Sequence, residues 1–176
     1  VALSNLNRQL EALTSTVGLP KAEAVARRIA DINPNAVLHP LQELYNAENR
    51  SRFFPEGCRY DYIVDAIDLV SCKLDLAETA RRLKIPLMMA LGTGNKLDPS
   101  QLRLADISET YGCPLARVMR KELRNRGICR QPVVFSPEQP APTTQRETPP
   151  PGRRSVPASN PWVPAEAGLL IGSKVV

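Results

Sequence analysis

Tyr60-Asp61-Tyr62-Ile63-Val64-Asp65-Ala66-Ile67-Asp68 is the stretch on which the fold turns. Its aromatic and β-branched residues over 60–67 predict a buried strand. The strand closes on two carboxylates, Asp65 and Asp68. Val70 to Leu83 then reads as a helix, and Pro86 to Ala90 as the next strand. A strand, a crossover helix and a second strand make a parallel pair.

Working outward, Leu102 to Ile107 is a further strand candidate, Pro114 to Arg126 a basic helix, and Val133 to Phe135 a last short strand. Upstream, Ala22, Val25, Ala26, Ile29 and Ala30 repeat at helical spacing and predict a helix over 22–32. Pro20 suits its first turn, and Asn33-Pro34 stops it. Ala36 to His39 is a short strand candidate, and Asn46 to Phe54 a short helix. The alternation predicts an α/β fold: a Rossmann-like, mostly parallel sheet with flanking helices. No internal repeat is visible.

The chain has 176 residues and a formal net charge of +5, enough for a core but not for two large domains. No run approaches the roughly 18 apolar residues of a membrane span. Val1 to Gln9 lacks the basic and apolar regions of a secretory signal. The four cysteines form no Cys-x-x-Cys pair, which argues against structural zinc and for reduced thiols in a cytoplasmic protein. The charge excess sits in one place: residues 103–130 hold 7 basic and 3 acidic side chains. Such a patch attracts a polyanion. Ten of the 17 prolines fall between Pro132 and Pro164. We therefore expect three parts: a nucleotide-binding-type body over 1–136, a Pro-rich loop or disordered crossover over 137–160, and a C-terminal helix over 161–176 packing back on the body.

Several clusters invite chemistry. Asn5 and Arg8 are three apart with Gln9 adjacent, so a helical turn would place an amide and a guanidinium together. They could grip phosphate oxygens, or be an N-cap beside a solvated arginine. Lys21, in a helix's first turn, opposes the helix dipole unless it faces a bound anion; an ordinary surface lysine is the alternative. Asp65 and Asp68 sit at a strand's carboxyl end, where open α/β sheets bind ligands. They could ligate Mg²⁺ beside phosphates, or Asp68 could cap the helix that follows. Gly92-Thr93-Gly94-Asn95-Lys96 lacks the Gly-Lys-Ser/Thr of a phosphate loop and reads as a turn. His39, the one histidine, has no nucleophile elbow to serve. Cys113, before Pro114 at a helix start, is the best reactive-thiol candidate, with an inert thiol as the alternative.

In order along the chain stand Ser-Asn-Leu-Asn-Arg-Gln (4–9), Gly-Leu-Pro-Lys-Ala-Glu (18–23), Ile-Asn-Pro (32–34) and Asp-Tyr-Ile-Val-Asp-Ala-Ile-Asp (61–68). This order resembles the ThiF/MoeB/HesA family of ubiquitin-activating-like adenylating enzymes. Gly-Thr-Gly-Asn-Lys-Leu-Asp-Pro (92–99), Cys-Pro-Leu-Ala-Arg-Val-Met-Arg-Lys-Glu-Leu (113–123) and Val-Val-Phe-Ser-Pro-Glu (133–138) resemble its tRNA threonylcarbamoyladenosine dehydratase branch.

The resemblance implies an ATP-dependent adenylating ligase or cyclase that dehydrates threonylcarbamoyladenosine at tRNA position 37 through an acyl-adenylate. It implies that Asn5, Arg8, Gln9 and Lys21 contact the nucleotide phosphates, with Arg8 and Lys21 catalytic, and that Asp68 binds the nucleotide and holds Mg²⁺. Asp65 receives no role. ATP and Mg²⁺ are the implied cofactors, tRNA at the basic segment 103–130 the implied partner, and a homodimer the implied assembly. The family's glycine-rich loop and ribose-binding aspartate would lie before Val1, so the resemblance implies a first βαβ unit missing from this chain, which alone would be inactive. Two alternatives remain: an activator of a ubiquitin-like sulfur carrier, and an inactive fragment that acts as a binding module.

Overall fold

The computed structural model describes residues 1–142 and 158–176. Its contacts divide the chain into two units, Val1–Leu44 and Tyr45–Val176. Most of the expected crossover, 143–157, lies outside the described residues.

The first unit is built from short turns and one helix. Single 3₁₀ turns cover Leu3–Asn5 and Thr14–Thr16, and α1 spans Lys21–Ile32. The turn before α1 is tied to the start of the chain: Gly18 N donates to Val1 O at 3.0 Å, and the Val1 amine donates to Leu19 O. Helix α1 ends where Asn33 turns extended, as the following Pro34 requires. The strand expected at 36–39 is absent among the described residues: no bridge forms there and Val37 is 82% exposed. Without a neighbouring strand, β propensity alone orders nothing.

The second unit carries the sheet. Its elements are α2 (Arg50–Phe53), β1 (Ile63–Asp65), α3 (Val70–Leu83), β2 (Leu87–Ala90), β3 (Arg103–Asp106), α4 (Pro114–Asn125), β4 (Pro132–Phe135) and α5 (Trp162–Val175). The strand order is β1-β2-β4-β3. β1 runs parallel to β2 with Asp65 beside Met89, and β2 runs parallel to β4 with Ala90 beside Val134. β3 is the exception, antiparallel to β4 with Leu104 beside Val134. The sheet is thus α/β and mostly parallel, with one antiparallel edge.

Alternation along β2 and β4 sets the layers. Leu87, Met89, Val133 and Phe135 pack with Leu76, Ala77 and Ala80 of α3 and Ala116, Met119 and Leu123 of α4. Met88 and Val134, one residue out of phase, pack with Val163, Ala167 and Ile171 of α5. Fully burying a side chain of this size contributes roughly 1.5–3 kcal/mol, so these faces fix the register. Helix α3 stops at Lys84, which adopts the left-handed conformation (φ 57°), and Ile85 N closes the turn on Ala80 O at 2.9 Å. The carboxyl ends of β1, β2 and β4 all open on one edge, the edge that α/β sheets use for ligands. No described helix is long and apolar enough to cross a membrane.

Candidate functional site

The residues singled out in the sequence fall in both units. Asn5, Arg8, Gln9 and Lys21 belong to the first, Asp65 and Asp68 to the second. No helix begins at Asn5. It ends a 3₁₀ turn instead, and its Oδ1 accepts from Ala2 N at 2.9 Å. The chain then folds back on it, with Arg8 N and Gln9 N both donating to Asn5 O at 3.1 and 3.0 Å. Arg8 therefore follows Asn5 by one tight turn. Its Nη1 donates to Ser4 O at 2.8 Å and to Asn7 Oδ1 at 2.9 Å, which leaves the rest of the fork to other acceptors. Gln9 Oε1 is buried and has no hydrogen-bond partner among the described residues. Lys21 is exposed and is the first residue of α1.

At the end of β1 the two aspartates separate in character. Asp65 is fully buried. Its Oδ2 lies 2.9 Å from Lys73 Nζ, and its Oδ1 accepts from Ile67 N at 2.9 Å. Oδ2 makes no hydrogen bond among the described residues, but the carboxylate is sealed from solvent and neutralised by Lys73, so the reading of Asp65 as a Mg²⁺ ligand is withdrawn. Asp68 is exposed. The N-cap position of α3 belongs to Leu69, one residue beyond Asp68. One exposed carboxylate at a strand exit suits Mg²⁺, which takes one or two carboxylates and completes its shell with phosphate oxygens and water. Among the described residues, no three His, Cys, Asp or Glu side chains gather as a metal site.

Beyond β2, the segment 92–99 is more than a turn. The Lys96 amine is buried and donates to the carbonyls of Ser136 and Glu138. Burial lowers its pKa, and the nearby Glu138 carboxylate offsets part of that shift. The Glu138 carboxylate in turn accepts from Leu97 N at 2.9 Å and Asp98 N at 3.1 Å. Asn160 Nδ2 donates to Lys96 O at 2.6 Å, and Trp162 Nε1 to Leu97 O at 2.7 Å. The loop after β2 is thereby pinned to the exit of β4 and to the start of α5. Cys113 is buried beside it, caps α4 by accepting from Ala116 N at 3.5 Å, and has little access to reagents. His39 is exposed. A cleft of about 500 Å³ lies at the opposite edge, between Tyr62, Arg81, Leu87, Cys129, Arg130 and Pro132, away from Asp68.

Lys73 and Lys96 escaped the sequence reading because lysine belongs by default to the surface. Asp65 carried the only signal for Lys73: a carboxylate inside a buried strand demands a partner.

The basic segment is also sorted by the fold. Arg120 Nη1 donates to Thr110 O and Oγ1, both at 2.6 Å, and Arg126 pairs with Glu122 at 2.8 Å. Arg117, Lys121 and Arg124 stand exposed on α4 at i, i+4 and i+7, and their side chains make no hydrogen bond or ion pair among the described residues.

Residues 1–144 match the ThiF family. The chain is 39% identical over its whole length to the tRNA threonylcarbamoyladenosine dehydratase of Bacillus subtilis, and covers 72% of that protein. It is 38% identical to the Escherichia coli dehydratase over 71% of this chain and 46% of that one. The crystal structure of the E. coli enzyme in complex with ATP superposes with a TM-score of 0.83 at 32% identity, over 99% of this chain and 70% of that chain.

Proposed function

This chain belongs to the ThiF family, and we propose that its protein is an ATP-dependent adenylating enzyme that cyclises threonylcarbamoyladenosine in tRNA. One observation carries the reading: the similarity to the dehydratase of Bacillus subtilis runs the full length of the chain.

In the proposed reaction, an oxygen of the substrate's threonyl carboxylate attacks the α-phosphorus of ATP. The bond to the β-phosphate breaks and pyrophosphate leaves. The carbamoyl group of the same substituent then attacks the activated carbonyl carbon, its N–H proton passes to solvent, the acyl–phosphate bond breaks, and AMP leaves as the ring closes. Asn5, Arg8, Gln9 and Lys21 hold the polyphosphate in this scheme. The Arg8 guanidinium and Lys21 ammonium stabilise the charge that grows on the departing pyrophosphate. Asp68 holds Mg²⁺, which when bound neutralises phosphate charge. The exposure of Lys21 and Asp68, and the Arg8 donors that bond nothing among the described residues, support these roles.

The segment 103–130 is the proposed tRNA contact, made mostly to phosphates through Arg117, Lys121 and Arg124. The assembly is a proposed homodimer in the cytoplasm. The division into a nucleotide-binding body over 1–136, a crossover over 137–160 and a returning helix over 161–176 is likewise part of this reading.

The test is AMP release by the full-length protein with ATP and tRNA bearing threonylcarbamoyladenosine. Release that requires the modified tRNA supports the proposal. Pyrophosphate exchange driven by a ubiquitin-like carrier, with no response to tRNA, overturns it.

A further inference from the structure

We propose that Lys73 is a positioning residue that locks the exit of β1, and with it the Asp68 carboxylate, against the exit of β2. The inference rests on the reading of Asp68 given above.

Lys73 and Asp65 form an ion pair whose side chains are both 0% exposed. An ammonium has three protons to place. Lys73 Nζ donates to Ala90 O at 2.8 Å and to Ile67 O at 3.1 Å, and it ion-pairs with Asp65 Oδ2 at 2.9 Å in an orientation that makes no hydrogen bond to that oxygen. The two backbone carbonyls stand at informative places. Ile67 O belongs to the peptide that joins Ile67 to Asp68. Ala90 O belongs to the last residue of β2, at the start of the pinned loop 91–99.

Asp65 completes the grip, because its Oδ1 takes the N–H of Ile67 at 2.9 Å. Both peptide groups of Ile67 are thus held, one by each member of the pair. Backbone ladder pairing between β1 and β2 stops at Asp65 and Met89. The lysine takes over where the ladder ends and the two loops diverge.

A purely structural need at this depth would be met as well by apolar side chains, since a buried pair seldom adds net stability. The pair's distinctive product is the fixed direction of two strand exits. Arginine cannot substitute, because its planar fork does not converge on three oxygens around a single nitrogen.

The test compares full-length Lys73→Met with Leu123→Ala, a control that also loses a buried side chain but lies in α4. Amide hydrogen exchange is followed without nucleotide. In Lys73→Met, amides of 66–69 and 91–94 should exchange at least tenfold faster than the global loss of stability accounts for. In Leu123→Ala they should follow the global change. Exchange at 66–69 no faster than in the control overturns the proposal.

Should Lys73→Met fail to fold, the neutral double variant Asp65→Asn/Lys73→Met removes the stranded charge. Exchange at 66–69 should stay elevated there. A return to the original rate would mean that the lysine only neutralises Asp65, and the proposal falls.

A second readout is the Mg²⁺ concentration giving half-maximal AMP formation. It should rise at least fivefold in Lys73→Met and stay unchanged in Leu123→Ala; no rise in Lys73→Met would count against the proposal. Asp68→Asn separates the two claims. If it leaves that Mg²⁺ dependence unaltered, the reading of Asp68 fails, while the exchange data still decide whether Lys73 positions the loops.

Discussion

Replacing Arg117, Lys121 and Arg124 together by alanine should strip most of the salt dependence from tRNA binding. The three side chains sit on one exposed face of α4 at i, i+4 and i+7, and none has a described partner to lose. Seven residues of helix rise about 10 Å, so the stripe is long enough to meet successive phosphates. Each neutralised phosphate contributes about 0.7 to 0.9 to the slope of log K against log salt. Three contacts therefore account for a slope of about two to three. Between 50 and 200 mM salt that slope is worth roughly a 20- to 40-fold change in affinity. The assay is fluorescence anisotropy of labelled tRNA across a KCl series, with ATP binding measured in parallel. The triple variant should lose two to three from the slope and bind weakly even at low salt, while its ATP affinity stays unchanged. Arg120→Ala, which removes a guanidinium already bonded to Thr110, should alter the slope by less than one contact's worth. An unchanged slope in the triple variant would refute the assignment of α4 to RNA.

Other outcomes follow from the second unit. Lys73→Met should cost about 3–5 kcal/mol in urea unfolding, because it strands the Asp65 charge in the core; a loss below ~1 kcal/mol would contradict that picture. Burial, followed by the hydrogen bond to Asp75, raises the Tyr45 phenol to about 12. A raised pKa stabilises the fold below the unfolded value near 10 and is lost as pH climbs through 12. Stability should fall by roughly 2–3 kcal/mol across that window, with the fall absent in Tyr45→Phe. Gly112 has φ 69°, and a Cβ there would sit 2.3 Å from Pro137 O. Gly112→Ala should therefore lose roughly 2–4 kcal/mol by denaturant titration, and a loss under ~0.5 would contradict the contact.

How much of this was legible in the sequence depended on whether a signal was local. Helix α3 matches the expected 70–83 because its apolar spacing is local, and β2 and β4 fall within a residue of their apolar runs. β1 shrinks from the expected 60–67 to Ile63–Asp65, because β propensity says nothing about where a neighbour stops pairing. The antiparallel sense of β3 was equally hidden, since strand direction is set by tertiary pairing. Motif order is what nominates Asn5, Arg8, Lys21 and Asp68 for the proposed site. Lys73 stayed invisible because its contacts are made by folding: helix α3 turns it back onto Asp65 and Ile67 at the exit of β1, and sheet pairing brings it to Ala90 at the end of β2. Lys96 was hidden for the same reason, its carbonyl partners lying some 40 residues downstream.

The central claim is that Arg8, Lys21 and Asp68 act on one triphosphate. It is tested most directly by single-turnover AMP formation in the full-length protein with modified tRNA, comparing Arg8→Ala, Lys21→Ala and Asp68→Asn. Loss of a preorganised group that stabilises transition-state charge costs about 10²–10³ in rate, so each variant should slow AMP formation by that order while still binding tRNA. Rates within a factor of two of the unaltered protein in all three would contradict the account.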